Sequence, residues 1–337
     1  MTTSPALSVV VIGRNEGQRL ARCLDSIRSI RGIEGEIEVV YADSGSTDGS
    51  PQLASAAGAR VVEPRSDRPT AALGRNAGWT IAKAPFILFL DGDTILHPDF
   101  TRHALDALTA DPTLAAVWGH RREIHPEQSV YNRILDLDWV FAPGLTDYCG
   151  GDVLMRREAL EAVGGYDATL IAGEEPELCR RMRTKGYRIL HIDTPMTGHD
   201  LAMTRFSQYW KRALRAGHAY AEVSSRFRHT PDPLWQPQRK RNFLRGGFWV
   251  LSLLTAIAAC ILWRSFLPVA LWMGLLLLLS IRSAWHARWK SAPGFTLFLY
   301  GIHSHLQQIP IVIGQLQFDL NARHGRRQKL IEYKGNA

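Results

Sequence analysis

The sequence predicts an α/β domain on a mostly parallel, Rossmann-like sheet, followed by C-terminal membrane helices. Three observations carry this reading. Over the first hundred residues short β-branched runs alternate with helical stripes, the pattern of strands joined by crossover helices. Acidic residues recur where the runs end. From Gly246 to Ile281 the chain is almost wholly apolar, with Arg264-Ser265 the main break.

Each element follows in order. Leu7 to Ile12 is a buried strand, and Leu20, Cys23, Leu24, Ile27 and Ile30 form the apolar face of a helix. Glu36 to Tyr41 is the second strand, ending at Ala42-Asp43, and Ser44 to Gly49 is all turn chemistry. A helix around Leu53–Ala57, a short strand at 60–63 and a helix over 71–82 lead to Phe86–Leu90, the strongest strand signal in the chain.

Composition bounds the rest. The 337 residues are 46% hydrophobic and 21% charged, which excludes disorder over most of the chain. The length suggests about two domains. The four cysteines are scattered with no CxxC pair, which excludes a disulfide scaffold or a Cys-rich zinc site. Residues 1–7 show no leader peptide pattern. The net charge of +8 admits nucleic acid, anionic lipid or a polyanionic small substrate.

Ligands of such sheets sit at the carboxyl ends of strands. Those ends carry Asn15-Glu16, Asp43 and Asp91-Gly92-Asp93. Helix capping accounts for any one of these clusters, but less well for all three on one edge. Asp91 and Asp93, with glycine between, can approach one hard cation, Mg²⁺ or Mn²⁺, which also bridges to substrate phosphates. Glu174-Glu175-Pro176-Glu177 opens a helix. A favourable dipole explains Glu177. The adjacent Glu174 and Glu175 raise one another's pKa, which suits a general base.

The ordered set of motifs resembles the family 2 glycosyltransferases, inverting enzymes with a GT-A fold. It comprises Val9 to Glu16, Tyr41 to Gly49, Gly74-Arg75-Asn76-Ala77-Gly78, Phe89 to Asp93, Gly164 to Asp167 and Gly173 to Cys179, and covers about residues 7–200. The resemblance implies that Asn15, Glu16 and Asp43 contact the base and ribose of a nucleotide-sugar and that Arg75 contacts its diphosphate. It implies that Asp91 and Asp93 hold metal and diphosphate, with His199 as a further metal candidate. Glu175 becomes the base that deprotonates the acceptor hydroxyl, so that one displacement inverts the anomeric centre. Asp152 and Glu174 are acceptor-side candidates, and the stretch from His120 to Asp152 is expected to set acceptor choice. The chain departs from the family pattern at Gly13-Arg14, at Ser44 and at Glu175, where aspartate is usual.

The expected organisation is a catalytic domain over 1–200, an amphipathic interface helix and linker over 201–240, and a membrane region over 241–337. That region holds a hairpin at 246–281, an interfacial, re-entrant or third membrane segment at 293–318, and a basic tail. Basic residues flank the hairpin at Arg239-Lys240-Arg241, Arg245, Arg282, Arg288 and Lys290, which places both flanks and the catalytic domain in the cytoplasm of a bacterial-type plasma membrane. The implied activity moves one sugar from a nucleotide-sugar to a lipid or lipid-linked acceptor, such as a polyprenyl-linked one. A processive polysaccharide synthase is the alternative; Gln208 to Arg212 only loosely matches the Gln-x-x-Arg-Trp motif of those enzymes. A basic membrane-associated scaffold is the non-enzyme reading. Nucleic acid is not expected, because the basic clusters lie beside apolar spans, where anionic lipid accounts for them.

Overall fold

The computed structural model describes residues 4–326. They divide into two compact units, one of residues 4–124 with 139–201, the other of residues 125–138 with 202–326. The first unit runs β1 (Leu7–Gly13), α1 (Gln18–Arg28), β2 (Ile37–Asp43), α2 (Ser50–Ala56), β3 (Arg60–Val62), α3 (Ala71–Ile81), β4 (Phe86–Asp91), β5 (Thr94–Leu96), α4 (Phe100–Ala110) and β6 (Leu114–Glu123). After α5 (Val130–Asp136), part of the second unit, it resumes with β7 (Gly144–Thr146), β8 (Val153–Arg156), α6 (Arg157–Val163), α7 (Glu174–Thr184) and β9 (Arg188–His199).

The strands form one sheet in the order β3-β2-β1-β4-β8-β6-β9-β5, with β7 on β9. β1 pairs parallel with β2 and β4, β2 with β3, and β6 with β9. β8 lies antiparallel between β4 and β6, and β5 and β7 pair antiparallel with β9. The longer pairings are parallel, as expected, and the short strands add an antiparallel part to the sheet. The reversing strands β5, β7 and β8 have three or four residues each, too short for periodicity to reveal. The apolar residues of β1 are buried because helices cover both faces. α3 presses onto β1 at Gly78, where a Cβ would stand 2.2 Å from Val10 Cγ1.

The second unit adds α8 (Phe206–Arg226), α9 (Gln236–Trp263), α10 (Leu267–Ala287), α11 (Gly294–Leu306) and α12 (Gln308–Arg323). Glycines mark its crossings. A Cβ on Gly217 of α8 would stand 2.1 Å from the Ile311 carbonyl oxygen, and one on Gly314 of α12 would stand 2.2 Å from that of Leu214. Gly246 of α9 meets Gln308 in the same way, and Gly301 of α11 meets Ser280. Close backbone approach at small residues is the packing mode of helices in lipid.

α9 and α10 are the two helices, among the described residues, long and apolar enough to cross a membrane. At 28 and 21 residues they outrun the apolar runs read from the sequence and reach about 42 and 32 Å. Leu251, Leu254, Ile261, Leu262, Leu271 and Leu278 are exposed along them. The residues expected as one segment over 293–318 form two helices instead. Pro310 lacks the N–H that would bond the Leu306 carbonyl, so the helix breaks at Gln307. The helix expected to lie in a membrane interface is α8, and α12 covers its buried Ala213, Gly217 and Ala221 side. Arg327 and Lys329 of the basic tail lie outside the described residues.

Polar contacts tie residues 125–138 into this unit. The Met203 amide donates to Asn132 Oδ1 (3.1 Å), and the Tyr300 hydroxyl donates to Asp138 Oδ1 (3.1 Å). His303 Nε2 lies 3.6 Å from Asp138 Oδ2, and Tyr209 Oη is 2.9 Å from His303 Nδ1.

Candidate active site

β4 ends at Asp91, beside β1 on one side and β8 on the other. At the next turn the Gly92 amide donates to the Ile12 carbonyl (2.8 Å). A Cβ on Gly92 would come within 3.1 Å of that oxygen, so the tight turn that aims Asp91 and Asp93 favours glycine. β5 then pairs Thr94 with His199 of β9, which brings Asp93 and His199 together. His199 Nε2 lies 3.3 Å from Asp93 Oδ2, and both side chains are almost fully buried. Behind them His199 Nδ1 is 3.9 Å from Glu123 Oε2, and the Glu123 carboxylate accepts from the Leu201 amide (3.0 Å). Burial, and next the charge of Arg121, hold the His199 imidazole below its ordinary pKa and so neutral.

Asp91 faces arginines. Its Oδ1 is 3.0 Å from Arg75 Nη2 and its Oδ2 is 3.4 Å from Arg121 Nη2. Its amide donates to Asp152 Oδ1 (2.9 Å). Arg75, on α3, is 2% exposed and serves three carboxylates. Besides Asp91 they are Glu174 Oε1 at 3.0 Å and Glu175 Oε1 at 3.1 Å, both from the first turn of α7. Gly173 starts that helix in the left-handed region (φ 84°), which suits glycine. Burial works against the charge of Arg75, and Glu175, Asp91 and Glu174 outweigh it, so the guanidinium stays protonated. Burial first, then the Glu174 charge, push the Glu175 carboxyl up to about 7.

Four of the expected site residues have protein partners in this geometry. Asp152, an acceptor-side candidate, is fully buried; its carboxylate accepts from the Asp91 amide and the Thr197 hydroxyl (2.7 Å). Through the first of these bonds it supports the backbone at Asp91. Glu174, the other acceptor-side candidate, is buried against Arg75. Arg75, expected on the diphosphate, is enclosed by carboxylates. Asp43, expected on the nucleotide, is 1% exposed. It accepts from Tyr41 Oη, the Gly45 and Ser46 amides and Ser46 Oγ, so it shapes the 44–47 turn. Asn15 joins that turn, since its Oδ1 accepts from the Thr47 amide (2.7 Å) and its own amide donates to Ser46 Oγ (2.8 Å). Glu16 pairs with Arg19 at 3.0 Å.

Among the described residues no group of three His, Cys, Asp or Glu side chains is arranged to hold a metal ion. Asp93 and His199 offer an oxygen and a nitrogen donor 3.3 Å apart. Such a pair fits Mg²⁺ or Mn²⁺ when substrate phosphates and water complete the shell. Asp91 is committed to the two arginines.

Residues 8–164 match the sequence profile described as glycosyl transferase family 2. Residues 8–164 belong to this family. A pre-mycofactocin glycosyltransferase of Mycobacterium tuberculosis is 27% identical over 209 residues, 58% of this chain and 42% of its own length. The chain thus spans less than half of that relative. The succinoglycan biosynthesis protein ExoA of Rhizobium meliloti is 25% identical over 290 residues, 80% of this chain and 83% of its own. The mannosyltransferase PcManGT of Pyrobaculum calidifontis, solved with GDP-Man and Mn²⁺, superposes with a TM-score of 0.66 at 20% identity. That match covers 94% of this chain and 88% of the other, and it establishes a GT-A-like fold.

The sequence did not single out Arg121, Glu123 and Trp139 within the 120–152 stretch. Arg121 Cζ lies 4.9 Å from the Trp139 ring centroid, and the same ring meets His199 edge-on at 4.8 Å. One signal was available: Arg121 and Glu123 alternate on one face at the end of a buried strand.

Proposed function

We propose that the chain is an inverting glycosyltransferase that moves a single sugar from a nucleotide-sugar to a lipid or lipid-linked acceptor. The catalytic unit works at the cytoplasmic face of a bacterial-type plasma membrane, and α9 and α10 anchor it. The observation that carries this reading is Glu175. It is the carboxylate of the Arg75 cluster held near pKa 7, where a general base is most effective. Asp152 is taken up by the Asp91 amide and Thr197 and Asp43 by its turn, and of the two glutamates on Arg75, Glu175 is the more exposed, at 17% against 6% for Glu174. That leaves one carboxylate to act as base and favours a single displacement with inversion.

In this reading Glu175 takes the proton from the attacking hydroxyl. Arg75 keeps the ionised form oriented and partly offset. Asp93 and His199 would hold Mg²⁺ or Mn²⁺, which when bound offsets charge on the departing nucleoside diphosphate. Asp152 and Arg121 hold Asp91 in place. The GDP-Man and Mn²⁺ of the mannosyltransferase structure agree with this donor class. Exposed apolar side chains along α9 and α10 support the anchor.

The test is transfer from a panel of labelled nucleotide-sugars to lipids extracted from membranes, with purified enzyme and Mn²⁺. Label should pass to the organic phase with inverted anomeric configuration. Label confined to a water-soluble polymer, or retention of configuration, would overturn the reading.

A further inference from the structure

We propose that Trp139 is a positioning residue for donor and metal binding, resting on the site reading above. Trp139 ends a short 3₁₀ turn, Leu137–Trp139, and its indole supports two groups at once. The Arg121 guanidinium lies over it at 4.9 Å, and the His199 ring packs edge-on at 4.8 Å with 75° between planes. Each group then reaches a different carboxylate of the Asp91-Gly92-Asp93 turn. Arg121 Nη2 is 3.4 Å from Asp91 Oδ2, and Arg121 Nε is 3.7 Å from Asp152 Oδ2. His199 Nε2 is 3.3 Å from Asp93 Oδ2.

The physical need is clear from the side chains involved. Arginine is long, and its separations from these two carboxylates exceed an ideal ion pair. A ring beneath the guanidinium adds cation–π attraction and removes rotamers that would carry it away. The same ring limits rotation of the imidazole about its Cβ–Cγ bond. One aromatic side chain thereby keeps the Asp91 partner and the Asp93 partner in register.

The test compares Trp139→Ala and Trp139→Phe with wild type in full-length, detergent-solubilised protein. Mn²⁺ affinity is read without donor, from the electron paramagnetic resonance signal of free Mn²⁺. Donor KM and kcat come from transfer assays, and folding from the thermal midpoint. In Trp139→Ala the Mn²⁺ dissociation constant and donor KM should both rise about tenfold, the upper part of the range for a lost cation–π contact. The kcat should change less than threefold and the midpoint should stay near wild type. Trp139→Phe, which keeps a ring face, should recover both to within about threefold. Equal loss in both variants, or a lowered midpoint with unchanged Mn²⁺ affinity, would overturn the role. Failure of wild type to bind Mn²⁺ would instead defeat the site reading and take this proposal with it.

Discussion

Glu175→Gln separates charge from shape at the base. The substitution keeps the size of the side chain and removes one of three carboxylates around Arg75, so the cluster passes from two net negative charges to one. The Glu175 carboxyl rises from an ordinary 4.5 to about 7 through burial and the Glu174 charge. That rise corresponds to roughly 3 kcal/mol against the ionised form at 1.36 kcal/mol per pH unit, less to the extent that solvent screens a side chain 17% exposed. The folded pKa lies above the unfolded one, so the folded state holds the extra proton between about pH 4.5 and 7. Stability is therefore lost as pH rises through that window. The variant should match or exceed wild-type stability at pH 8 and lose this advantage below about pH 4.5. Activity should move the other way. Transfer by wild type should climb about tenfold per pH unit below 7 and level above it. Glu175→Gln should lose at least ~10²-fold at every pH while donor binding persists. Single-turnover transfer from pH 5 to 9, with thermal midpoints on the same samples, reads both. A wild-type rate flat across pH 5.5–8, or a variant within tenfold of wild type, would refute the reasoning. An inactive Glu174→Gln beside a normal Glu175→Gln would move the base one residue back.

Asp93→Ala should lower metal-dependent transfer by about 10²-fold or more while circular dichroism stays unchanged, since it removes half of the Asp93–His199 donor pair; full wild-type turnover in excess chelator would reject the metal. Gly217→Val should destabilise the helical unit by about 1–3 kcal/mol or more, because its Cβ would sit 2.1 Å from the Ile311 carbonyl oxygen; Gly247→Ala, with nothing within 4 Å, should leave the midpoint alone. An impermeant thiol reagent applied to sealed cells should label a Ser265→Cys variant in a Cys260→Ala background, and extraction of the protein by high salt without detergent would reject the hairpin.

The legible part of the fold is the part whose signals are local. β1 and β4 announce themselves because burial on both faces makes them nearly continuous apolar runs. The Asp91-Gly92-Asp93 turn and the acidic start of α7 could be read as chemistry because each lies within a few residues of an element end. What escaped was whatever depends on pairing between distant segments. Asp152 reaches the Asp91 amide only because the four-residue β8 pairs with β4 and sets Val153 opposite Phe89. Arg121 and Glu123 reach the site only because β6 pairs with β9 and sets Glu123 opposite His199. Asp43 looked available because its sequence position does not reveal that Tyr41 and Ser46 already use its oxygens.

The same dependence explains why the site can exist at all. Three carboxylates converging on one nearly buried guanidinium is a costly arrangement, and well-packed apolar residues in its place are often no less stable. Its retention points to chemistry rather than stability. Each component is useful only in the presence of the others. Without Glu174, Glu175 would lose one of the influences that raise its pKa, the others being burial and Asp91; without Arg75, the three carboxylates would repel one another unopposed. Fixing Asp91 from behind by Asp152, and from the side by Arg121 on Trp139, keeps this repulsion from being relieved by movement. The sheet therefore acts as a clamp on like charges. A short strand with little periodicity of its own suffices for that task, because the register of β8 is imposed by the longer apolar strands β4 and β6 between which it lies.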